Sequence, residues 1–434
     1  MPTLGVVMIV KNEADCLDAC LNSVASIADE IVIADTGSTD ETPAIARSHH
    51  ARVLNIPWNN DFAEARNQVL AEATSDWLLH LDADECLDPK SAQRIRTIVD
   101  ADGNGADAIE VTLANYCDDP RAWRWVPATP GEPWARGKSG YIAVRLLRLF
   151  RNHRGYHYRE PVHENITESV LEAGGKVRGE EPILIHHYGY GGSGSAKGRL
   201  YLDIAKRKVE QRPYDVKAWH DLAEQLLSLN ETTEAEEAAR RALALEPLHL
   251  SAATTLCNIL LNRGDVDEAR ALLEGLEAAR IAPPHVVTAL GAIACRQGRI
   301  QEACERLEAV LSEVPIAVMA RLYYARALDL SGRAADARWQ LEMAKLVCPS
   351  FVEIDSRLKA HDGRSRGEQA IREGSYQQAL ATLVAALRDD PEDPLIHLDV
   401  GICLDKLGQQ DAAQRSFARA ARLAASLEGR REIV

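Results

Sequence analysis

From about residue 213 onward the chain repeats itself every thirty-four residues, and that period leaves few folds open. Pro213, Pro247, Pro315 and Pro349 stand at multiples of the period, and Pro391 keeps the phase after about eight extra residues. Ala235, Ala269, Ala303, Ala337, Ala379 and Ala413 share one position of the unit. Gly264, Gly298, Gly332, Gly374 and Gly408 stand five residues earlier, with Asn230 in that place in the first unit. Glycine, and less readily asparagine, adopts the left-handed backbone that ends a helix. The unit therefore predicts helix–turn–helix, and six units between about 213 and 428 predict an all-α solenoid with a concave groove. The extra residues, near 350–359, should delay the fifth unit.

The first hundred residues follow a different rule. Apolar runs at 4–10, 30–34, 52–56 and 77–82 alternate with helical spacing at 12–27, 41–50 and 61–73. That alternation predicts a mostly parallel sheet with helical crossovers. Continuous apolar runs suit strands buried on both faces.

Polar residues gather at the ends of these strands: Lys11-Asn12-Glu13, Asp35-Thr36-Gly37-Ser38 and Asp82-Ala83-Asp84. Parallel strands place all three on one rim, where ligands of open α/β sheets bind. Asp35 could accept from a base or ribose hydroxyl, Gly37 would permit close backbone approach, and Asp84 could hold a hard divalent cation that in turn holds a diphosphate. Neither the dinucleotide nor the P-loop glycine fingerprint occurs. Taken alone, Asp82-Ala83-Asp84 reads more readily as a solvated turn.

Val10-Lys11-Asn12-Glu13, Asp35-Thr36-Gly37-Ser38-Thr39-Asp40, Asp61-Phe62-Ala63-Glu64-Ala65-Arg66-Asn67 and Leu81-Asp82-Ala83-Asp84-Glu85, in that order, resemble the nucleotide-sugar-binding half of family 2 glycosyltransferases. These have the GT-A fold, a Rossmann-like mixed sheet. The repeated units resemble tetratricopeptide repeats. The combination is similar to bacterial lipopolysaccharide-core glucosyltransferases and to the peptide S-glycosyltransferases of glycosylated bacteriocins. The resemblance implies that Glu13 and Asp35 face the uridine of a UDP-sugar, and that Arg66 and Asn67 lie by the uracil or the diphosphate. Asp82 would reach the ribose or the metal shell, and Asp84 would coordinate Mn²⁺ or Mg²⁺. The bland reading makes Glu13 a helix N-terminal acid and Arg66 a surface partner of Glu64 or Glu72.

Beyond residue 100, strands are expected at 107–114, 141–150 and 182–187. Trp123, Trp125 and Trp134 fall in one Pro- and Gly-bearing loop, which suits either an acceptor platform or a loop pinned by buried rings. The resemblance suggests His163-Glu164 as the catalytic pair, with Glu164 taking the acceptor's proton and His163 touching acceptor or phosphate. Asp118 and Asp119 rival Glu164, and the usual Glu-Asp motif of the family is absent. The resemblance also points His187 at the metal or the donor phosphates. His186 should face the other way. The Gly/Ser-rich stretch that follows reads as linker or lid, and Lys197 and Arg199 could clamp phosphates.

These boundaries give a transferase domain over 1–192, a linker and helix over 193–212, and a repeat domain over 213–434. A formal net charge of −15 argues against nucleic acid as partner. Nine scattered cysteines without Cys-x-x-Cys fit a reducing cytoplasm. No apolar run is long enough to span a membrane, so a lipid-linked acceptor would be met at the surface. The reading is a metal-dependent, inverting glycosyltransferase acting on a glycan, glycolipid, protein or peptide. The repeats would recruit acceptor or mediate dimerisation. The alternative is a non-catalytic adaptor with a vestigial transferase domain.

Overall fold

The computed structural model describes residues 1–122, 125–129, 131–161, 164–189 and 195–424. Contacts divide the chain into two compact units, Met1–Cys117 with Arg124–Gln211, and Asp118–Trp123 with Arg212–Val434.

The first unit is built on a nine-stranded mixed sheet. β1 (Leu4–Val10), β2 (Glu30–Asp35), β3 (Arg52–Asn55) and β4 (Trp77–His80) form its parallel half, in the order β3-β2-β1-β4. The sheet continues through β8 (Gly140–Arg151), β6 (Ala108–Cys117), β9 (Val177–His187) and β5 (Glu85–Leu87), with β7 (Trp125–Pro127) beside β8. Alternate residues of β1 feed opposite faces. Leu4, Val6, Met8 and Val10 pack with α1 (Leu17–Val24), α2 (Thr42–Ser48) and α4 (Pro89–Asp100), whereas Val7 joins the core under α3 (Phe62–Glu72) and α5 (Thr167–Glu172). The sheet is therefore covered on both sides, which is why β1 and the middles of β2 and β4 are apolar. α6 (Ser195–Gln211) closes the unit.

Three local differences from the sequence reading matter. Helix α1 begins at Leu17 rather than near Asn12, because the intervening backbone is committed elsewhere. Asn12 N–H donates to Ser38 Oγ at 2.9 Å, Glu13 N–H to Thr42 Oγ1 at 2.7 Å, and Ala14 N–H to Asp40 Oδ2 at 3.2 Å. The loops after β1 and β2 are thus laced together. Strand β9 starts at Val177, well before Pro182, and its pairing with β6 jumps from Gly179 to Leu184. A proline offers no N–H to the ladder, so the strand survives it by an irregularity. Finally, β5 follows directly on the acidic turn and pairs antiparallel with β9, which sets Glu85 opposite His187.

Among the described residues the second unit contains six helix pairs. They are α7/α8 (Val216–Ser228, Thr232–Leu245), α9/α10 (Leu250–Arg263, Val266–Ala278) and α11/α12 (Pro284–Arg296, Ile300–Glu313), then α13/α14 (Val318–Leu330, Ala334–Val347), α15/α16 (Val352–Arg372, Tyr376–Asp389) and α17/α18 (Pro394–Lys406, Gln410–Leu423). Each periodic proline precedes the first helix of its pair. Each turn residue is left-handed, from Asn230 at φ 61° to Gly264 at φ 99°. The repeated alanines are buried in the second helices. The extra residues do not form a separate delaying segment. They lengthen α15 to 21 residues, where the other first helices have 13 or 14. Among the described residues no helix is long and apolar enough to cross a membrane.

Candidate active site

The acidic turn Leu81–Asp84 joins β4 to β5 at the carboxyl rim of the parallel strands. Its two aspartates do different things. Asp82 is held by two guanidinium groups: Arg66 Nη2 lies 2.9 Å from Oδ1, and Arg148 Nη2 lies 3.5 Å from Oδ2. Burial alone would raise the Asp82 carboxyl, but Arg66 and Arg148 hold it well below the usual carboxylate range. Both oxygens of Asp82, expected to reach the ribose or the metal shell, are engaged by arginine.

Arg148, 5 % exposed on β8, is the centre of a network that nothing in the sequence announced. Its Nη1 donates to His80 Nε2 at 2.7 Å and its Nη2 to Glu85 Oε1 at 2.7 Å. Glu85 also accepts from Asp82 N–H at 2.8 Å, so it ties the turn from within. Burial pushes the Glu85 carboxyl up to about 7, against the pull of Arg148. His80 is driven far below its ordinary value by burial and by the two arginines, so its ring is neutral. Since Arg148 must donate to Nε2, the His80 proton sits on Nδ1, 2.8 Å from Tyr158 Oη.

Arg66 extends this network along α3. Its Nε donates to Glu164 at 2.7 Å, and its side chain is only 7 % exposed. The surface pairing with Glu64 or Glu72 does not occur; Glu72 pairs with Arg52 instead. Burial opposes the Arg66 charge, and Asp82 and Glu164 more than restore it. Asn67, expected near the uracil or the diphosphate, spends its amide on the backbone of Tyr158, donating to the carbonyl at 2.9 Å and accepting from the N–H at 2.7 Å. It clips the segment before Glu164 onto α3.

Asp84 faces the other way. Its Oδ2 is 3.2 Å from His187 Nε2. Two ligands at right angles on a small divalent cation stand about 3 Å apart. His187 Nδ1 lies 2.5 Å from Asn115 Oδ1, a partner that fixes the ring with Nε2 towards Asp84, as a metal-binding imidazole requires. Burial disfavours the His187 charge, but the hydrogen bond and charge of Asp84 outweigh it and raise its pKa. A cation would displace that proton. Gly189 completes the cradle: a Cβ there would fall 2.1 Å from Asp84 Oδ2 and 3.0 Å from His187 Nε2. The residues present therefore fit Mn²⁺ or Mg²⁺, with two protein ligands. Among the described residues no third His, Cys, Asp or Glu completes a cluster, so further positions would fall to phosphate oxygens and water.

On the same rim Asp35 is 5 % exposed and its Oδ1 accepts from Ser38 N–H at 3.0 Å. Gly37 has φ +103°, and no atom lies within 4 Å of where its Cβ would be, so the backbone there is open to a ligand. The Glu13 carboxylate accepts from the Cys16 thiol at 3.2 Å. Of the tryptophans, Trp125 donates to the Cys117 carbonyl at 3.3 Å, and Trp134 stacks on His186 at 4.8 Å. Both rings are half-buried and tie the loop to the strands beside it. Asp119 is clasped by Arg121, at 2.8 Å from both Nε and Nη2. His163, Trp123 and the side chain of Lys197 lie outside the described residues.

Residues 5–166 match the family model described as Glycosyl transferase family 2, and residues 209–345 and 370–426 match tetratricopeptide repeat models. A TPR repeat-containing protein of Synechococcus elongatus is 30% identical over 97% of this chain and 92% of its own length. The SPbeta prophage-derived glycosyltransferase SunS of Bacillus subtilis is 23% identical over 64% of this chain and 63% of its own. An uncharacterized glycosyltransferase of Rickettsia felis is 36% identical over 23% of this chain and 34% of its own.

Proposed function

Because this chain belongs to the family 2 glycosyltransferases and carries tetratricopeptide repeats behind the catalytic domain, we propose that it transfers a sugar from UDP-hexose or UDP-N-acetylhexosamine, in a metal-dependent reaction with inversion. The acceptor is a glycan, a glycolipid, or a protein or peptide side chain. The observation that carries the donor reading is the convergence of Asp84 and His187 at 3.2 Å over Gly189. Inversion rests on the family resemblance.

In this reading Asp35 and the open backbone at Gly37 receive the nucleoside. Asp84 and His187 would hold Mn²⁺ or Mg²⁺. When bound, the cation supplies positive charge that offsets the charge growing on the leaving diphosphate. Arg66 and Arg148 keep Asp82 ionised and in place, so that the turn presents Asp84 in one geometry. Glu164 receives the acceptor's proton as the acceptor's lone pair forms its bond to the anomeric carbon. The sugar–phosphate bond breaks in the same event, and its electron pair leaves with the nucleoside diphosphate. The repeats recruit the acceptor or join two copies of the chain.

Calorimetric binding of a panel of nucleotide sugars, with Mn²⁺, with Mg²⁺ and with chelator, tests this. Metal-dependent binding of one UDP-sugar is expected. If neither a nucleotide sugar nor UDP binds with metal, the adaptor reading takes its place.

A further inference from the structure

The loop before β8 carries a cation that the catalytic reading has not used. Residues 133–135 form a single 3₁₀ turn, and Arg136 caps it in the left-handed conformation, at φ 47° and ψ 40°. That conformation is costly for any residue but glycine, and a glycine stands next to it at Gly137. Arg136 is exposed, so no burial of its side chain offsets the strain.

What the turn accomplishes is an orientation. Four rings and one guanidinium stack in series. Trp134 lies on His186 at 4.8 Å and 13°, His186 on Tyr116 at 5.8 Å and 13°, and Tyr116 on Tyr188 at 5.7 Å and 10°. Arg136 closes the column, with its Cζ 3.6 Å from the centroid of Tyr188. His186 is fixed in turn by Tyr116 Oη at 2.9 Å and Asp88 Oδ2 at 3.2 Å. Among the described residues no carboxylate forms an ion pair with Arg136.

The column meets the candidate metal cradle through the backbone of Tyr188. Tyr188 stands between His187 and Gly189, and its N–H donates to the Asp84 carbonyl at 3.4 Å. A guanidinium stacked through its face keeps N–H donors in its plane, and these match the paired oxygens of a phosphate. A divalent cation leaves part of the charge of a nucleoside diphosphate uncompensated.

We propose that Arg136, poised on the Tyr188 ring, binds the diphosphate of the donor and of the departing nucleotide, as the second cation of the site. The proposal rests on the donor reading above and adds to it a residue outside the four resembling motifs. The departing diphosphate gains a fixed positive partner, and the aromatic column sets where that partner stands.

The test is calorimetry on the full chain with Mn²⁺, using UDP, inorganic pyrophosphate and uridine as probes, for wild type, Arg136→Gln and Arg136→Lys. Arg136→Gln should weaken UDP and pyrophosphate by about tenfold or more and leave uridine unchanged. Arg136→Lys should recover part of the loss. UDP and pyrophosphate affinities within about twofold of wild type in Arg136→Gln would overturn the assignment while leaving the donor site intact. Parallel loss of uridine would also overturn it, making Arg136 a support of the loop. If wild type binds neither UDP nor pyrophosphate, the donor reading itself fails, and this one with it.

Discussion

Arg66 Nε donates to Glu164 at 2.7 Å across ninety-eight residues of sequence, while Nη2 of the same guanidinium holds Asp82 at 2.9 Å. One buried cation thus ties the acid proposed as base to the turn that presents the metal ligand. A carboxylate in such a pair is oriented, as a proton acceptor must be. Glu164→Gln keeps an oxygen for Arg66 but cannot take a proton. Turnover should fall about 10²- to 10⁴-fold, with UDP affinity little changed. Steady-state kinetics beside calorimetry separate the two. Unchanged turnover would move the base to Asp118, Asp119 or His163.

Arg66→Met should act on stability as well. It leaves Asp82 and Glu164 facing each other with one cation fewer. Breaking a buried pair by removing one partner costs about 3–5 kcal/mol. Lysine at this site can serve one carboxylate but not both along the two edges of a guanidinium, so Arg66→Lys should recover only part of the loss. Urea unfolding measures both variants, and a wild-type midpoint for Arg66→Met would contradict the role given to the network.

Asp84→Ala and Gly189→Ala should fail in the same way for different reasons. The first removes a ligand; the second inserts a methyl group 2.1 Å from Asp84 Oδ2. Each should lose the Mn²⁺-dependent part of UDP binding. The helical unfolding transition should be retained, since Gly189 lies outside the repeats. Metal-dependent binding at wild-type strength in Gly189→Ala would place the cation elsewhere.

Much of this was legible in the sequence because its signals are periodic or local. The thirty-four-residue beat fixes six helix pairs, since every left-handed turn residue it marks, from Asn230 to Gly408, is short-range chemistry. Asp35 and Asp84 announce themselves by standing at strand ends. Arg148 and His80 do not. Each sits in an apolar run that reads as plain strand, and only the pairing of β4 with β8 brings them to 2.7 Å. The part played by Asn67 was hidden for the same reason, because its partner Tyr158 is ninety-one residues away. The length of α15 was hidden differently. An insertion of eight residues has the same spacing whether it forms a loop or two further helical turns, and 350–359 carries no helix-ending glycine to decide.

The repeats contain a half-buried acid, Asp399, whose titration should be visible in stability. Burial pushes the Asp399 carboxyl up to about 8, nearby Glu368 adds to this, and Arg364 only partly opposes it. Its Oδ2 is buried without a hydrogen-bond partner among the described residues. An unfolded aspartate titrates near 3.9. Between about pH 4 and 8 the folded chain therefore keeps a proton that the unfolded chain has released. Stability from this group is fully present below pH 4 and declines as pH rises towards 8, by roughly 1.4 kcal/mol per pH unit at most. Asparagine mimics the protonated acid at every pH. Asp399→Asn should match wild type near pH 4 and exceed it by a few kcal/mol at pH 8. Urea unfolding at a series of pH values, followed by far-ultraviolet circular dichroism, reads this directly. Parallel pH profiles for the two proteins would mean that Asp399 is ionised in the folded repeats and that Arg364 carries its charge.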